Sequence, residues 1–152
     1  MIEDKKFCID EFNIKQYQAQ LLTNNYKKES TEQVKNKYKN DEITYLTWEQ
    51  LDKHLDEIAE KIKDKNYIGL YGIPRAGLLI ALILSYKTGI PVINSAMNNC
   101  LVIDDAVSSG VAMLPYIKRY DTYAIVVDKN APYKTDYYNY HTEELIYFPW
   151  DK

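Results

Sequence analysis

Three short segments of the chain are apolar at most positions. They are NYIGLYG (residues 66–72), CLVIDD (100–105) and TYAIVVD (122–128). A strand that is apolar on both faces has to be buried on both faces, as inside a parallel sheet. Stretches with helical spacing alternate with these segments. This order predicts an α/β fold in which a parallel sheet is flanked by helices.

Two helices are clearly indicated. Thr47 and Gln50 have the capping-box pattern, which satisfies free N–H groups at a helix start. The apolar residues that follow at helical spacing are Leu51, Leu55, Ile58, Ala59 and Ile62. His54 lies off that face and is predicted to be exposed. The second helix, GLLIALILSYKTG, is predicted to end at Gly89.

Three further segments are assigned from their patterns. PVINSA (91–96) is predicted as a strand, VAMLPYIKRY (111–120) as a helix shortened by Pro115, and ELIYFPW (144–150) as an edge segment. Tyrosine is frequent, with 15 residues in the chain. This frequency is attributed mainly to compositional bias, with an aromatic surface at Tyr133–His141 for a base or a partner as the alternative.

Composition limits the function classes. The net charge of -3 argues against a general binder of nucleic acids or anionic membranes. No apolar run reaches the roughly 20 residues of a membrane span. The start has no signal-peptide pattern, so we expect a cytoplasmic protein. Cys8 and Cys100 lack metal-ligand spacing and are expected to be free thiols. The polar residues 1–42 are predicted to form an N-terminal helical extension.

The segment LVIDDAVSSGVAM, residues 101–113, ends an apolar strand in two acids and continues with a small-residue turn. Backbone N–H groups of Ser108, Ser109 and Gly110, at the start of a helix, would suit a phosphate dianion. Asp104 and Asp105 would repel that phosphate if they faced it. They are therefore predicted to hold sugar hydroxyls or a metal ion, with an acidic helix cap as the structural alternative.

The loop GIPRAG, residues 72–77, lies between a predicted strand and a predicted helix. Its small residues allow N–H groups to approach a phosphate, and Arg75 adds positive charge. The spacing is similar to that of a P-loop, but Leu78 and Leu79 stand where Lys and Ser/Thr are needed, which excludes a P-loop NTPase. Ligands collect at the carboxyl ends of parallel strands, so this loop and the acid pair are predicted to meet.

Together these segments resemble the type I phosphoribosyltransferases, nearest to the xanthine–guanine and hypoxanthine types. The resemblance runs from about Thr44 to Lys152. It implies a Rossmann-like phosphoribosyltransferase domain over residues 43–152. The segments that carry it are LVIDDAVSSGVAM, similar to the family signature; YIGLYGIPRAGLLIALILSYKTGIPV, similar to the pyrophosphate-loop region; TWEQLDKHLDEIAEKI, similar to the leading helix; and LIYFPWDK, similar to the C-terminal strand.

The resemblance implies that phosphoribosyl pyrophosphate (PRPP) binds with Mg²⁺ as cofactor. Asp104 and Asp105 would hold the ribose hydroxyls and could ligate Mg²⁺. With Arg75 they form the implied catalytic group, in which electrostatic stabilisation of an oxocarbenium-like state dominates. The remaining implied contacts are Ser108, Ser109, Gly110, Val111 and Ala112 to the 5′-phosphate; Pro74, Arg75, Ala76 and Gly77 to pyrophosphate; and Lys129, Leu145 and Ile146 to the base.

Five features depart from the family pattern. Ser108 replaces the catalytic Asp of 6-oxopurine members and cannot accept a proton comparably near neutral pH, which argues against guanine or hypoxanthine. Ala112 replaces Thr, which loses a bond worth roughly 1.5–3 kcal/mol. Ala76 replaces Gly, at a cost on the order of 1–3 kcal/mol if the position requires a glycine conformation. Leu145 replaces a stacking Trp. Only residues 97–99 stand where most members have a mobile closing loop.

We therefore expect a transferase of purine salvage that moves phosphoribosyl from PRPP to a purine-like base. The alternative is a catalytically inactive protein of the same fold that senses or sequesters a nucleotide, and the five departures favour it. The expected partners are PRPP or another small nucleotide, with neither nucleic acid nor membrane. By analogy with the family we also expect a dimer or tetramer, for which the helix GLLIALILSYKTG offers an apolar surface.

Overall fold

The computed structural model describes residues 43–151 of the chain. Its elements in chain order are β1 (Ile43–Tyr45), α1 (Trp48–Ile62), β2 (Gly69–Gly72), α2 (Ala76–Thr88), β3 (Cys100–Val107), β4 (Asp121–Asp128), β5 (Tyr137–Thr142) and β6 (Leu145–Tyr147). The predicted extension over residues 1–42 and Cys8 lie outside the described residues. Neither helix within 43–151 has the length and hydropathy of a membrane span.

The main sheet has four strands in the order β2–β3–β4–β5, and each neighbouring pair is parallel. The two central strands, β3 and β4, are buried over most of their length. A second, small sheet pairs β1 with β6, also in parallel. The predicted α/β fold with a parallel sheet is therefore confirmed.

Two apolar clusters cover the two faces of the main sheet. On one face, α1 and α2 pack over residues such as Leu101 and Ile103, and Leu55 and Ile80 are fully buried there. On the other face, Val102 packs under the crossover segments 111–120 and 129–136. Alternate residues of a strand point to opposite faces, which explains how β3 contributes to both clusters.

The helix predicted to follow Thr47 and the helix predicted to end at Gly89 both form. The Thr47 side chain accepts a bond from the Gln50 N–H at 3.1 Å, and the Gln50 side chain accepts one from the Thr47 N–H at 2.9 Å. All five apolar residues predicted for α1 are buried. The Lys87 ammonium joins α2 to α1 through Asp52 at 2.7 Å and Asp56 at 2.6 Å.

The predicted helix over residues 111–120 is wrong. This crossover is a series of turns, in which the Met113 carbonyl accepts bonds from the N–H groups of both Tyr116 and Ile117. Pro115 has no N–H to donate and disfavours a helical conformation at the residue before it. Lys118 moreover has φ 62°, outside the helical region. The apolar residues of the segment still pack into the second cluster.

Two other expectations also need correction, and one strand was not predicted. The strand predicted at PVINSA is a single parallel bridge between Leu70 and Val92. The segment read as an aromatic surface contains the edge strand β5, which the sequence analysis missed because its polar and aromatic residues lack an apolar face. His54 is half-buried, and its Nε2 lies 2.6 Å from the Tyr140 hydroxyl of β5.

Gly77 allows α2 to pack directly on β3. A Cβ at this position would lie 2.4 Å from the Ile103 carbonyl oxygen. We therefore expect Gly77→Ala to lower the free energy of unfolding by about 1–3 kcal/mol, as overpacking does in closely packed interiors. Urea denaturation followed by circular dichroism measures this loss.

The matched control is Tyr86→Ala on the same helix, where the side chain is 92% exposed. Its expected effect is within about 0.5 kcal/mol. Equal losses in the two variants would contradict the packing assigned to Gly77.

Candidate active site

The loop between β2 and α2 is held against the middle of β3. The Ile73 N–H donates to the Ile103 carbonyl at 2.8 Å. A Cβ at Gly72 would lie 2.3 Å from the Gly77 carbonyl oxygen, so the loop closes tightly on itself. The peptide bond between Pro74 and Arg75 is cis. Arg75 is exposed and has no ion pair within residues 43–151, so its guanidinium is available to an anion.

Ala76 is accommodated without the backbone strain considered from the sequence. It is the first residue of α2. The non-glycine residues with positive φ in the described part of the chain are Asn66, Asn99 and Lys118, and Ala76 is not among them. A glycine at this position is therefore not required for the loop conformation in this chain.

The acid pair lies within β3 and not at its tip, because the strand continues to Val107. Asp104 is only 8% exposed, and Asp105 is half-buried. An oxygen of Asp104 accepts the Asp105 N–H at 2.9 Å, and an oxygen of Asp105 accepts the Ala106 N–H at 2.8 Å. Both carboxylates are thereby held in defined positions by the strand backbone.

Burial, together with the charge of Asp105, raises the pKa of Asp104 from 3.8 to about 8. Burial also raises the pKa of Asp105, and the negative charge of Asp151 adds to the rise. Two carboxylates this close titrate as a pair. Near neutral pH the pair retains a proton, and a bound cation or donor hydroxyl would relieve the repulsion between them.

The turn after β3 presents two exposed serines. Gly110 follows them with φ 81°, a left-handed conformation, and its space is closed by Pro132 and Tyr133. The Tyr133 hydroxyl donates to the Gly110 carbonyl. The Val111 N–H donates weakly to the Ser109 hydroxyl at 3.4 Å. The predicted turn is present, but turns follow it, so the expected helix start is absent; Ala112 is exposed within them.

The three residues assigned to the base lie in different settings. Lys129 is exposed directly after β4, whose carboxyl end lies beside that of β3. Leu145 is half-buried at the start of β6. Ile146 is 7% exposed and packs in the larger cluster, so a ligand could meet it only through the backbone.

An aromatic cavity of about 460 Å³, which was not predicted from the sequence, lies next to β6. Trp48 and Phe148 line it, together with Asp151, whose charge acts on Asp105. The Phe148 and Trp150 rings stack with centroids 4.9 Å apart. The available signal was the FPWD segment, in which two aromatic residues and an acid lie together near a predicted edge strand.

The acid pair provides some of the ligands that a divalent cation needs, but not a complete set. Carboxylates are the hard oxygen donors that Mg²⁺ prefers, and a cation would offset the repulsion between Asp104 and Asp105. No group of three or more acidic, His or Cys side chains that could hold a metal ion occurs within residues 43–151. Mg²⁺ commonly completes its shell with water and substrate phosphates. The residues here therefore suit an ion that binds together with a phosphorylated substrate.

No protein-family model matches the chain, and no curated protein matches it in sequence. Solved structures do match. A purine phosphoribosyltransferase from Pyrococcus horikoshii is 23% identical with a TM-score of 0.62, and the match covers 73% of this chain and 95% of that one. A xanthine-guanine-hypoxanthine phosphoribosyltransferase from Helicobacter pylori is 18% identical with a TM-score of 0.62, covering 72% and 93%.

A hypothetical protein from Neisseria gonorrhoeae, solved with bound ppGpp, is 18% identical with a TM-score of 0.57, covering 72% of this chain and 89% of that one. The chain therefore has the type I phosphoribosyltransferase fold, as its motifs predicted. At these identities the likeness concerns the fold alone.

The raised pKa of Asp104 gives a testable dependence of stability on pH. Its carboxyl binds a proton more tightly in the folded chain than in the unfolded one, so folding is favoured at low pH. Stability is then lost as the pH rises from about 4 to about 8. We expect Asp104→Asn, which stays neutral, to exceed the wild type at pH 8 by on the order of a few kcal/mol. The difference should shrink towards pH 4.

Urea denaturation at several pH values, in the presence of EDTA, measures this difference. Asp64→Asn, at an exposed position, is the matched control. A gap between Asp104→Asn and wild type that does not change with pH, or that has the opposite sign, would contradict the assigned pKa.

Proposed function

We propose that the protein binds PRPP with Mg²⁺ and transfers its phosphoribosyl group to a purine-like base, releasing pyrophosphate. The observation that carries the proposal is the Asp104–Asp105 pair, with Asp104 buried and Asp105 half-buried, in a strand that leads into a small-residue turn on a phosphoribosyltransferase fold. The purine phosphoribosyltransferases among the similar structures support a purine-like base.

In this proposal, different residues bind the ribose hydroxyls and the 5′-phosphate. Asp104 and Asp105 accept hydrogen bonds from the ribose hydroxyls, because carboxylates bind hydroxyl donors strongly. Ser108 and Ser109, both exposed, lie a few residues further along the chain, where their N–H and hydroxyl groups would meet the 5′-phosphate. The carboxylates are thereby kept on the sugar and away from the phosphate.

The reaction breaks the bond between the anomeric carbon and a pyrophosphate oxygen and forms a bond to a base nitrogen. Arg75 stabilises the negative charge that develops on pyrophosphate, since its guanidinium is exposed beside the loop. The negative acid pair favours the positive charge that develops on the sugar. Mg²⁺, held by Asp104 and Asp105 with substrate oxygens, would neutralise further phosphate charge.

The base is placed between the acid pair and the C-terminal segment. Lys129 can donate to an exocyclic oxygen, and the aromatic cavity beside Asp151 offers rings for stacking in place of the residue lost at Leu145. Ser108 is exposed to water, so the proton of the base nitrogen passes to solvent and not to a carboxylate. This favours bases that ionise readily.

The second candidate function is nucleotide binding without turnover. Two observations favour it: Ser108 provides no general base, and the short connection of residues 93–99 leads directly into β3, so no long closing loop lies there. The Neisseria gonorrhoeae protein was solved with a bound nucleotide, ppGpp, which supports a ligand of this kind.

Self-association remains a prediction; Leu78, Leu82 and Tyr86 are exposed on α2.

The two candidates are separated by mass spectrometry of the protein with Mg²⁺, PRPP, nucleobases and a nucleotide extract, after filtration. A new nucleoside monophosphate with equivalent pyrophosphate supports the transferase and identifies the base. A retained, intact nucleotide without pyrophosphate supports the binder. Ser108→Asp supplies the missing general base. If the protein is a nucleotide binder that has lost catalysis, this variant should raise turnover at least about tenfold.

Either candidate requires the acid pair. We expect Asp104→Asn with Asp105→Asn to weaken PRPP or nucleotide binding roughly 100-fold, because two charge-assisted hydrogen-bonding groups are lost. Calorimetric titration measures the change, and Asp52→Asn with Asp64→Asn, both exposed, is the matched control. Unchanged affinity in the acid-pair variant would overturn the site itself.

A further inference from the structure

A second and larger cavity, of about 780 Å³, lies at the opposite end of the strands from the acid pair. Cys100, which begins β3, and Asp121, which begins β4, both line it. Cys100 and Asp104 are four residues apart along β3, or roughly 13 Å at about 3.3 Å per residue. The cavity is therefore separate from the candidate active site. Its size is within the range of small-molecule sites, about 300–1,000 Å³.

Three cationic side chains surround this cavity: Lys118, Arg119 and Lys134. Arg119 and Lys134 have no ion pair within the described residues, so their charges are not neutralised by protein carboxylates. The Arg119 guanidinium lies 5.8 Å from the centre of the Tyr120 ring, which orients it at the rim. With Asp121 and Asp136 also in the lining, the cations exceed the acids by one in a protein whose net charge is -3.

The two acids of the cavity are occupied in holding the strand starts. Asp121 accepts the Tyr67 hydroxyl at 2.5 Å. One oxygen of Asp136 accepts both the Thr122 N–H, at 2.8 Å, and the Thr122 hydroxyl, at 3.1 Å. These bonds hold the two carboxylates at the strand starts, although both acidic residues are exposed. The three cationic residues are exposed as well.

Aromatic rings form the other part of the wall. Tyr67, Tyr120 and Tyr133 all line the cavity, and Tyr67 is 8% exposed. Flat apolar faces next to guanidinium and ammonium groups are complementary to a planar ring that carries phosphate. Two lining residues, Asn99 and Lys118, also have positive φ, which is unusual for Lys and occurs often at ligand sites.

We propose that this cavity is a second ligand site, which binds a phosphorylated nucleoside. The phosphates lie against Arg119 and Lys134, and the base lies against the tyrosine rings. The proposal does not depend on the function proposed for the acid pair, because it shares none of the residues assigned to that site.

Tyr133 connects the two sites. Its ring lines the cavity, and its hydroxyl donates to the carbonyl of Gly110 in the candidate phosphate turn. A ligand that packs against this ring holds the hydroxyl in place and so orders the turn. Binding in the cavity is then expected to strengthen phosphate binding at the turn, and the reverse, since such coupling is reciprocal. Only this coupling rests on the proposed function of the turn.

The test measures ADP binding to the full-length chain by calorimetry, in the Asp104→Asn, Asp105→Asn background that removes the other site. ADP should still bind, and Arg119→Glu with Lys134→Glu should weaken it at least tenfold. Lys53→Glu with Lys61→Glu, on the exposed side of α1, changes the net charge equally and should have little effect. Equal losses of ADP affinity in the two double variants, or no ADP binding in the Asp104→Asn, Asp105→Asn background, would overturn the proposal.

Hydrogen exchange on the unmodified chain gives a test without substitutions. ADP should protect residues 117–121 and 133–136, whereas protection confined to residues 104–112 would place the ligand only at the acid pair and overturn the second site. Inorganic pyrophosphate should bind more weakly than ADP. Equal affinities would overturn the assignment of the tyrosine wall to a base.

The coupling is tested with Tyr133→Phe, which keeps the ring and removes the bond to Gly110. In the wild type, ADP at saturation should raise the affinity for ribose 5-phosphate severalfold. Tyr133→Phe should still bind each ligand measurably but lose this increase. If the increase persists in Tyr133→Phe, Tyr133 does not carry the coupling; if wild type shows no increase while both ligands bind, the two sites are independent.

Discussion

β3 lies between two apolar layers, with α1 and α2 on one face and the crossover segments on the other, and every candidate residue is positioned relative to it. Gly77 brings α2 against its backbone, and the Ile73 N–H bonds to the same carbonyl that Gly77 approaches. The loop with Arg75 therefore cannot move independently of the strand that carries the acids. Burial of this strand on both faces fixes the positions of the acid pair and of the backbone that holds the loop.

The same burial determines the electrostatics of the site. A carboxylate that is 8% exposed, beside a second carboxylate, is poorly solvated and retains a proton well above its usual pKa. Such a pair is costly for the fold unless a ligand compensates it, as a cation or a sugar would. The larger cavity, at the other end of the strands, is lined by three cations and two acids. Tyr133 in its lining bonds to the Gly110 carbonyl in the turn after β3.

Regular, buried elements were predictable because their signals are local. The capping box at Thr47, the apolar face of α1 and the uniformly apolar β3 and β4 each follow from periodicity and side-chain type. The conformation of the crossover over residues 111–120 was not predictable in this way. Met113 and Ile117 have helical spacing, but Pro115 removes a hydrogen-bond donor and Lys118 adopts a positive φ. β5 was missed since Tyr and His on an edge strand find their partners, among them His54, only in three dimensions.

The sequence by itself determined the α/β class, the parallel sheet and the two acids beside a small-residue turn, since apolar runs, caps and motif order are written in neighbouring residues. Only the tertiary structure decided that Ala76 fits without strain and that Trp48 and Phe148 share a cavity near the acids. The tertiary structure also brought three cationic side chains together with Tyr67, Tyr120 and Tyr133. These groups are distant in the chain, and their meeting depends on how the strands pair and how the crossovers pack, which no local pattern encodes.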